Sequence, residues 1–530
     1  MSPTGSGAQK NGKKGHGGTP RNGRPKKRKP GPRGPVRTPQ QNPRRVAWKV
    51  LTEVAVEDAY ANLVLPQALG RAGIGGPDAA FATELTYGTL RGLGLYDAVI
   101  ADAAGRPVAK IDPPVLAAMR MGAHQVLGMR TPAHAAVAET VNLLKRTHAR
   151  ATGFTNAVMR RVTERTREEW IEHVTAGASE ETALMIRTSH PEWIVRALGD
   201  ALDAHGRDRS ELPALLEADN TPARVSLTAL PGLADRDAIA AAHGAPAALS
   251  PLGVLLDHGD PLSVPEVAAG TARVQDEGSQ LVALALTRCD TAPAPAFPAI
   301  PAGDWFDMCA GPGGKTAVLA AELRARSGSI PAGASAAGEG GVRRVVATDA
   351  SEHRAGLVVD STRAVLRADG SPWVDVQQAD GREFGHTHPQ SFSRVLVDVP
   401  CSGLGALRRR PEARWRRRPE DVVELGPVQR DLLAAAWDSL VPGGALAYTT
   451  CSPHAEETVA VIRDVAGETP DVEGLPGLTV LDAPAVLAAV TGEDAAGFAS
   501  AAVGTGRCAQ LWPDRHGTDG MFLALLRKQA

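Results

Sequence analysis

Residues 307–316 read Asp307-Met308-Cys309-Ala310-Gly311-Pro312-Gly313-Gly314-Lys315-Thr316. A strand-like run at 305–308 leads into them and an Ala/Leu-rich helical pattern follows. Glycines between strand and helix let backbone N–H groups approach a ligand closely and open a helix N-terminus towards it. The turn is not a phosphate-binding P-loop, which would need glycine where Cys309 stands, nor does it match the GxGxxG dinucleotide fingerprint.

Working outward, strand-like runs recur at 345–347, 395–397, 446–448 and 521–526, with helical patterns between most of them. This alternation predicts βαβ units and an α/β, doubly wound, Rossmann-like, mainly parallel sheet. Such sheets bind ligands at the carboxyl ends of their strands. Asp349 ends the second run, 35 positions after Gly314, but residues 327–341 are a low-complexity stretch of 15. Read as a loop insertion, that stretch leaves a spacing of 20, where an acid binds ribose hydroxyls. Asp380 follows later, in Ala-Asp-Gly-Arg. The next two strands end in Asp398-Val399-Pro400-Cys401 and Thr449-Thr450-Cys451. Two of the five cysteines therefore flank the same cleft, where a thiolate can act as a covalent nucleophile. The residues alone do not rank one above the other.

The rest of the chain divides by texture. Residues 1–45 hold 13 Lys or Arg and no acid, leaving 45 basic against 59 acidic side chains elsewhere. Residues 1–43 are expected to be a disordered basic tail able to tether nucleic-acid phosphates. Residues 44–170 read as an all-α domain and 171–288 as a small α+β module; residues 289–530 form the α/β domain, entered through a Pro/Ala-rich linker at 289–303. No apolar run reaches membrane-spanning length and no secretory leader is evident. Sparse cysteines fit a reducing, cytoplasmic setting, and no histidine or cysteine spacing suggests a metal. A monomer is expected.

Taken together, several segments resemble the Sun family of S-adenosylmethionine-dependent RNA cytosine carbon-5 methyltransferases. They are FDMCAGPGGKT, VVATDASEHR, VQQADGREF, RVLVDVPCSGLGALRRRPEARW and PGGALAYTTCSPHAEE, with VQDEGSQ upstream. TELTYGTLRG, MRMGAHQVLGM, PAHAAVAETV and FTNAVMRRV resemble a NusB-type RNA-binding domain. The pairing looks like the 16S rRNA methyltransferase B type, whose partner is 16S rRNA or a small-subunit precursor.

The resemblance implies that Cys309, Ala310, Gly311, Pro312, Gly313, Gly314 and Lys315 line an S-adenosylmethionine site. Asp349 would take the ribose hydroxyls, Asp380 the adenine amine, and Asp398 would lie beside cofactor and target base. Cys451 matches the family's nucleophile, and Cys401 the cysteine assigned to product release. Ala455-Glu456-Glu457-Thr458 departs from the usual Pro-Glu-Glu-Asn. Residues 407–419 hold seven arginines around Trp415 and are expected to meet RNA phosphate. The alternatives are a methyltransferase of another RNA, such as tRNA, and a non-catalytic RNA-binding assembly factor.

Overall fold

Asn42 starts the first helix. Its side chain accepts the backbone N–H groups of Arg44 and Arg45, and Pro43 occupies the first turn of helix Pro43–Val56, where a missing N–H costs nothing. The computed structural model describes residues 41–290, 299–328 and 343–530. Arg44 is anchored, donating to Gln125 Oε1 at 2.7 Å and lying 4.7 Å over the Phe81 ring. Arg44 and Arg45 thus belong to the helical body; residues 1–40 of the expected tail lie outside the described residues.

Eleven α-helices run from Pro43 to Asn220. The first eight enclose a core that includes Leu85, Ile100, Met119, Leu144 and Met159. At Gly122, in helix Pro113–Leu127, a Cβ would stand 2.6 Å from Thr140 and 2.9 Å from Met159. Glycine there lets three helices meet.

A four-stranded antiparallel sheet follows, in the order β2-β3-β1-β4. Its strands are β1 (Ser226–Ala229), β2 (Gly244–Pro246), β3 (Gly253–Leu256) and β4 (Ala272–Val274). The sequence predicts the first strand at 223–227; it begins at Ser226. All four β1 residues are buried, because helices Arg236–His243 and Glu277–Arg288 both contact the sheet.

The second sheet comprises β5 (Asp304–Asp307), β6 (Val345–Asp349), β7 (Val374–Gln378), β8 (Phe392–Asp398), β9 (Leu440–Thr450), β10 (Leu478–Val480), β11 (Ala499–Val503), β12 (Gly506–Gln510) and β13 (Phe522–Lys528). Its order is β11-β12-β13-β9-β8-β5-β6-β7, with β10 on β13. β7-β6-β5-β8-β9 is parallel, while β13 joins β9 antiparallel and β10 to β12 extend that half. The sheet is therefore mixed, with the expected parallel half. Val395 and Val397 face one core with Tyr448 and Trp437; Leu396 faces another with Ala317 and Leu284. Burial on both faces gives the continuous apolar runs seen in the sequence.

Two loop boundaries differ from expectation. Ser327 lies in helix Gly314–Gly328, its hydroxyl donating to Leu323 O at 2.9 Å; residues 329–341 of the expected insertion lie outside the described residues. Cys289 and Asp290, expected to open the linker, pack on the domain. Cys289 is buried and Asp290 accepts from Arg394 Nη2 at 2.6 Å.

Candidate active site at the carboxyl ends of the parallel strands

Chain order reverses at β5, which has β6 on one side and β8 on the other, so a crevice opens beyond their carboxyl ends. The loop after β5 is held by Ala310 N–H donating to Thr348 O at 2.9 Å and Thr348 Oγ1 donating to Met308 O at 2.7 Å. Gly313 has φ 96°, and a Cβ there would fall 2.6 Å from Ser361 Cβ. Asp307, at the end of β5, is buried. Thr316 Oγ1 donates to one carboxylate oxygen at 2.7 Å and the other has no partner. Burial pushes its carboxyl up to about 7.

Asp349 reaches back to this loop. Its carboxylate accepts Gly311 N–H at 3.1 Å and Ser351 N–H at 3.0 Å, and Arg354 Nε lies 3.2 Å away. A Cβ on Gly311 would stand 2.5 Å from that carboxylate, so only glycine admits the approach. Asp380 caps helix Gly381–Thr387 and pairs with Arg382 Nη2 at 2.6 Å. Its neighbour Gly381 abuts the loop, since a Cβ there would lie 2.4 Å from Met308 Cγ. The Arg382 hydrogen bond holds the Asp380 carboxyl below its usual range.

Asp398 ends β8, and its Oδ2 accepts from Lys315 Nζ at 2.7 Å. Burial works against the lysine charge, but Asp398 outweighs it and holds the Lys315 pKa above normal. β8 and β9 are level here, Asp398 being paired with Thr449, so the two loops leave the sheet together. Cys401 Sγ and Cys451 Sγ come to 3.3 Å.

The two thiols differ. The hydrogen bond from Cys401 lowers the Cys451 pKa, aided by Lys315 and Arg410 and opposed by burial and Asp398. The same hydrogen bond, burial and nearby Glu457 push the Cys401 thiol well up. These surroundings favour the thiolate at Cys451 over that at Cys401, while either sulfur can donate the hydrogen bond between them. Cys309 is disfavoured as a nucleophile, because burial and nearby carboxylates raise its thiol.

A dinucleotide-free, nucleoside-bearing group fits this crevice. It offers a glycine-rich loop whose Gly311 and Gly313 leave no room for a Cβ, two carboxylates past adjacent strands, and a lysine–aspartate pair. Among the described residues no cluster of His, Cys, Asp or Glu could hold a metal ion, and no helix is long and apolar enough to cross a membrane.

The arginine run departs from expectation, because most of it joins parts of the chain together. Arg408 bonds Asp276 at 3.2 Å and Arg409 Nε bonds Asp519 at 2.8 Å. Arg414 is buried, donating to Asn220 Oδ1 at 2.7 Å and Asp219 O at 2.8 Å. Arg416 pairs with Asp58 at 3.0 Å and Arg417 with Asp421 at 3.5 Å. Trp415 packs on Gly94, where a Cβ would meet its ring at 2.8 Å. Arg410 remains exposed and close enough to act on Cys451. Sequence reasoning also missed Asp307 as a buried acid and Glu457 as a partner of the cysteine loops. Composition gives no signal for either: burial cannot be read at Asp307, and Glu457 meets Ser402 55 residues away.

A family model described as 16S rRNA methyltransferase RsmB/F matches residues 300–527, and a NusB family model matches 41–164. The protein named ribosomal RNA small subunit methyltransferase B from Salmonella arizonae is 30% identical over 446 residues, covering 82% of this chain and 91% of its own. The chain belongs to the RsmB/F family of 16S rRNA methyltransferases. RsmB/F proteins are S-adenosylmethionine-dependent, which agrees with the fit of the crevice. A Mycobacterium tuberculosis relative, MT1451, whose name says methyltransferase and nothing finer, is 44% identical over 510 residues, covering 94% of this chain and 99% of its own. The crystal structure of PH0851 shares the fold, with a TM-score of 0.69 at 19% identity, covering 93% of this chain and 100% of that one.

Proposed function

We propose that this chain transfers the methyl group of S-adenosylmethionine to carbon 5 of a cytosine in 16S rRNA, through a covalent bond between Cys451 and the base. The observation that carries this reading is the unequal cysteine pair, 3.3 Å apart, beside the Lys315–Asp398 ion pair. S-adenosylmethionine supplies the electrophilic methyl.

The residues of the chain divide the remaining work. Cysteine 451 is the nucleophile: its sulfur bonds to carbon 6, and the ring double bond's electrons make carbon 5 nucleophilic. Ring nitrogen 3 gains basicity as they move, and the proton shared by Lys315 and Asp398 stabilises the adduct there. After transfer, a solvent water takes the carbon 5 proton, its bonding electrons restore the double bond and expel the Cys451 thiolate, and the nitrogen 3 proton returns to the Lys315–Asp398 pair. Cys401 holds its S–H towards that sulfur, stabilising the thiolate both before attack and on departure. Asp349 would take the cofactor's ribose and Asp380 its adenine, with Cys309 to Lys315 forming the cradle between them.

The target base must leave its stack to reach such a crevice. Exposed Arg410 is placed to hold a phosphate beside Cys451, and the helical region of 44–170 would bind flanking structured RNA.

Bisulfite sequencing of 16S rRNA, after incubation with protein and S-adenosylmethionine, tests the substrate and the carbon together. One newly protected cytosine is the expected result. Methylated 16S rRNA without a protected cytosine would overturn the carbon 5 assignment, and unmethylated 16S rRNA the substrate assignment.

A further inference from the structure

Glu457 is fully buried and has no lysine or arginine in ion-pair range among the described residues. A lone buried carboxylate is costly unless hydrogen bonds satisfy it. Here they come from the loops that carry the cysteines. Glu457 Oε1 accepts Ser402 N–H at 2.7 Å and Gln429 Nε2 at 3.3 Å; Oε2 accepts the Ser402 hydroxyl at 2.5 Å. That hydroxyl lies 3.1 Å from Ser452 Oγ. With the Ser402 proton given to Glu457, Ser452 must be the donor between the two serines. Ser402 follows Cys401 and Ser452 follows Cys451, so one carboxylate reaches both loops through a single hydroxyl. Gln429 also donates to Pro400 O at 2.9 Å, and Tyr448 donates to Glu457 O at 2.9 Å.

We propose that Glu457 is a positioning residue: it fixes the separation of the Cys401 and Cys451 loops, and its negative charge keeps Cys401 the hydrogen-bond donor of the pair. This rests on the reading of Cys451 as nucleophile. The other charged groups acting on the pair are Asp398, Lys315, Arg409 and Arg410. The first three are ion-paired, Asp398 with Lys315 and Arg409 with Asp519. Glu457 is among the groups that raise the Cys401 thiol, and unlike Asp398 it stands in no ion pair among the described residues. An apolar residue at 457 would fill the space but leave Ser402 N–H without its partner.

The test is Glu457→Gln in the full chain, read by mass-spectrometric mapping of iodoacetamide labelling at Cys401 and Cys451 across pH, without RNA. In the wild type Cys451 should label at least about tenfold faster than Cys401 near neutral pH, as a difference of one pH unit between the thiols implies. In Glu457→Gln the Cys401 midpoint should move down and that ratio shrink. Glu457→Asp, which keeps the charge, should preserve the wild-type order, and kcat for methyl transfer should fall in Glu457→Gln more than KM for RNA rises. A folded Glu457→Gln with wild-type labelling at both cysteines would overturn the proposal. Should Glu457→Gln fail to fold, loss of the order in Glu457→Asp would overturn it equally. Wild-type protein that labels in this order yet transfers no methyl group would count against the functional reading alone.

Discussion

Cys401 Sγ and Cys451 Sγ lie 3.3 Å apart on loops that leave two adjacent parallel strands at the same level. The hydrogen bond between the two sulfurs joins residues that are chemically identical in the sequence. Their difference comes from surroundings: a lysine and an arginine act on one sulfur, a buried glutamate on the other.

Lys315 favours the Cys451 thiolate and also neutralises Asp398. Lys315→Met removes the first effect and leaves Asp398 unneutralised, and both changes raise the Cys451 pKa. The pH midpoint of iodoacetamide labelling at Cys451 should move up by about one unit. An unchanged midpoint would show that the lysine serves cofactor binding alone.

Arginines 409 and 410 are sequence neighbours with different duties. Arg409→Ala breaks the pair with buried Asp519 and should lower the thermal midpoint. Arg410→Ala should leave stability within about 0.5 kcal/mol, as for exposed positions. It should weaken RNA binding and reduce the slope of log affinity against log salt by about one. Filter binding over a salt series checks this.

Arg414 ties the segment after Cys401 to the helical region. Arg414→Ala would leave Asn220 and the Asp219 carbonyl without that donor in the interior. A loss of about 1.5–3 kcal/mol is expected, as for hydrogen bonds to a charged group, and urea unfolding measures it.

Asp219 sets a pH dependence. Burial raises its carboxyl to about 7, against the pull of Arg414 and Arg408, whereas an unfolded aspartate titrates near about 4. Between these values the fold holds a proton that the unfolded chain has released, so this carboxyl's contribution to stability falls as pH rises. Asp219→Asn should flatten thermal stability over that window and raise it above pH 7 by up to about 4 kcal/mol.

β5, β6, β8 and β9 were legible because these strands are apolar on both faces and lead into glycine, aspartate or cysteine. β7 was not, because Val374–Gln378 is a half-exposed edge strand with polar residues, nor were β10 to β12, which are short and mostly alanine-rich or polar. The loop of 309–315 follows β5 and the acids at 349 and 398 end β6 and β8, so their place at the carboxyl edge of the sheet was legible from position alone. The arginine run misled because composition cannot tell a guanidinium facing solvent from one facing Asp519 or Asn220. Glu457 was hidden for the same reason: its partner Ser402 is 55 residues away.

Covalent catalysis by Cys451 is read directly by denaturing electrophoresis of the protein with labelled 16S rRNA and S-adenosylmethionine, comparing wild type, Cys451→Ala and Cys401→Ala. A stable protein–RNA adduct is expected with Cys401→Ala, which lacks the donor that stabilises the departing thiolate, and neither adduct nor product with Cys451→Ala. Methyl transfer by a folded Cys451→Ala, or an adduct that survives loss of Cys451, would contradict it.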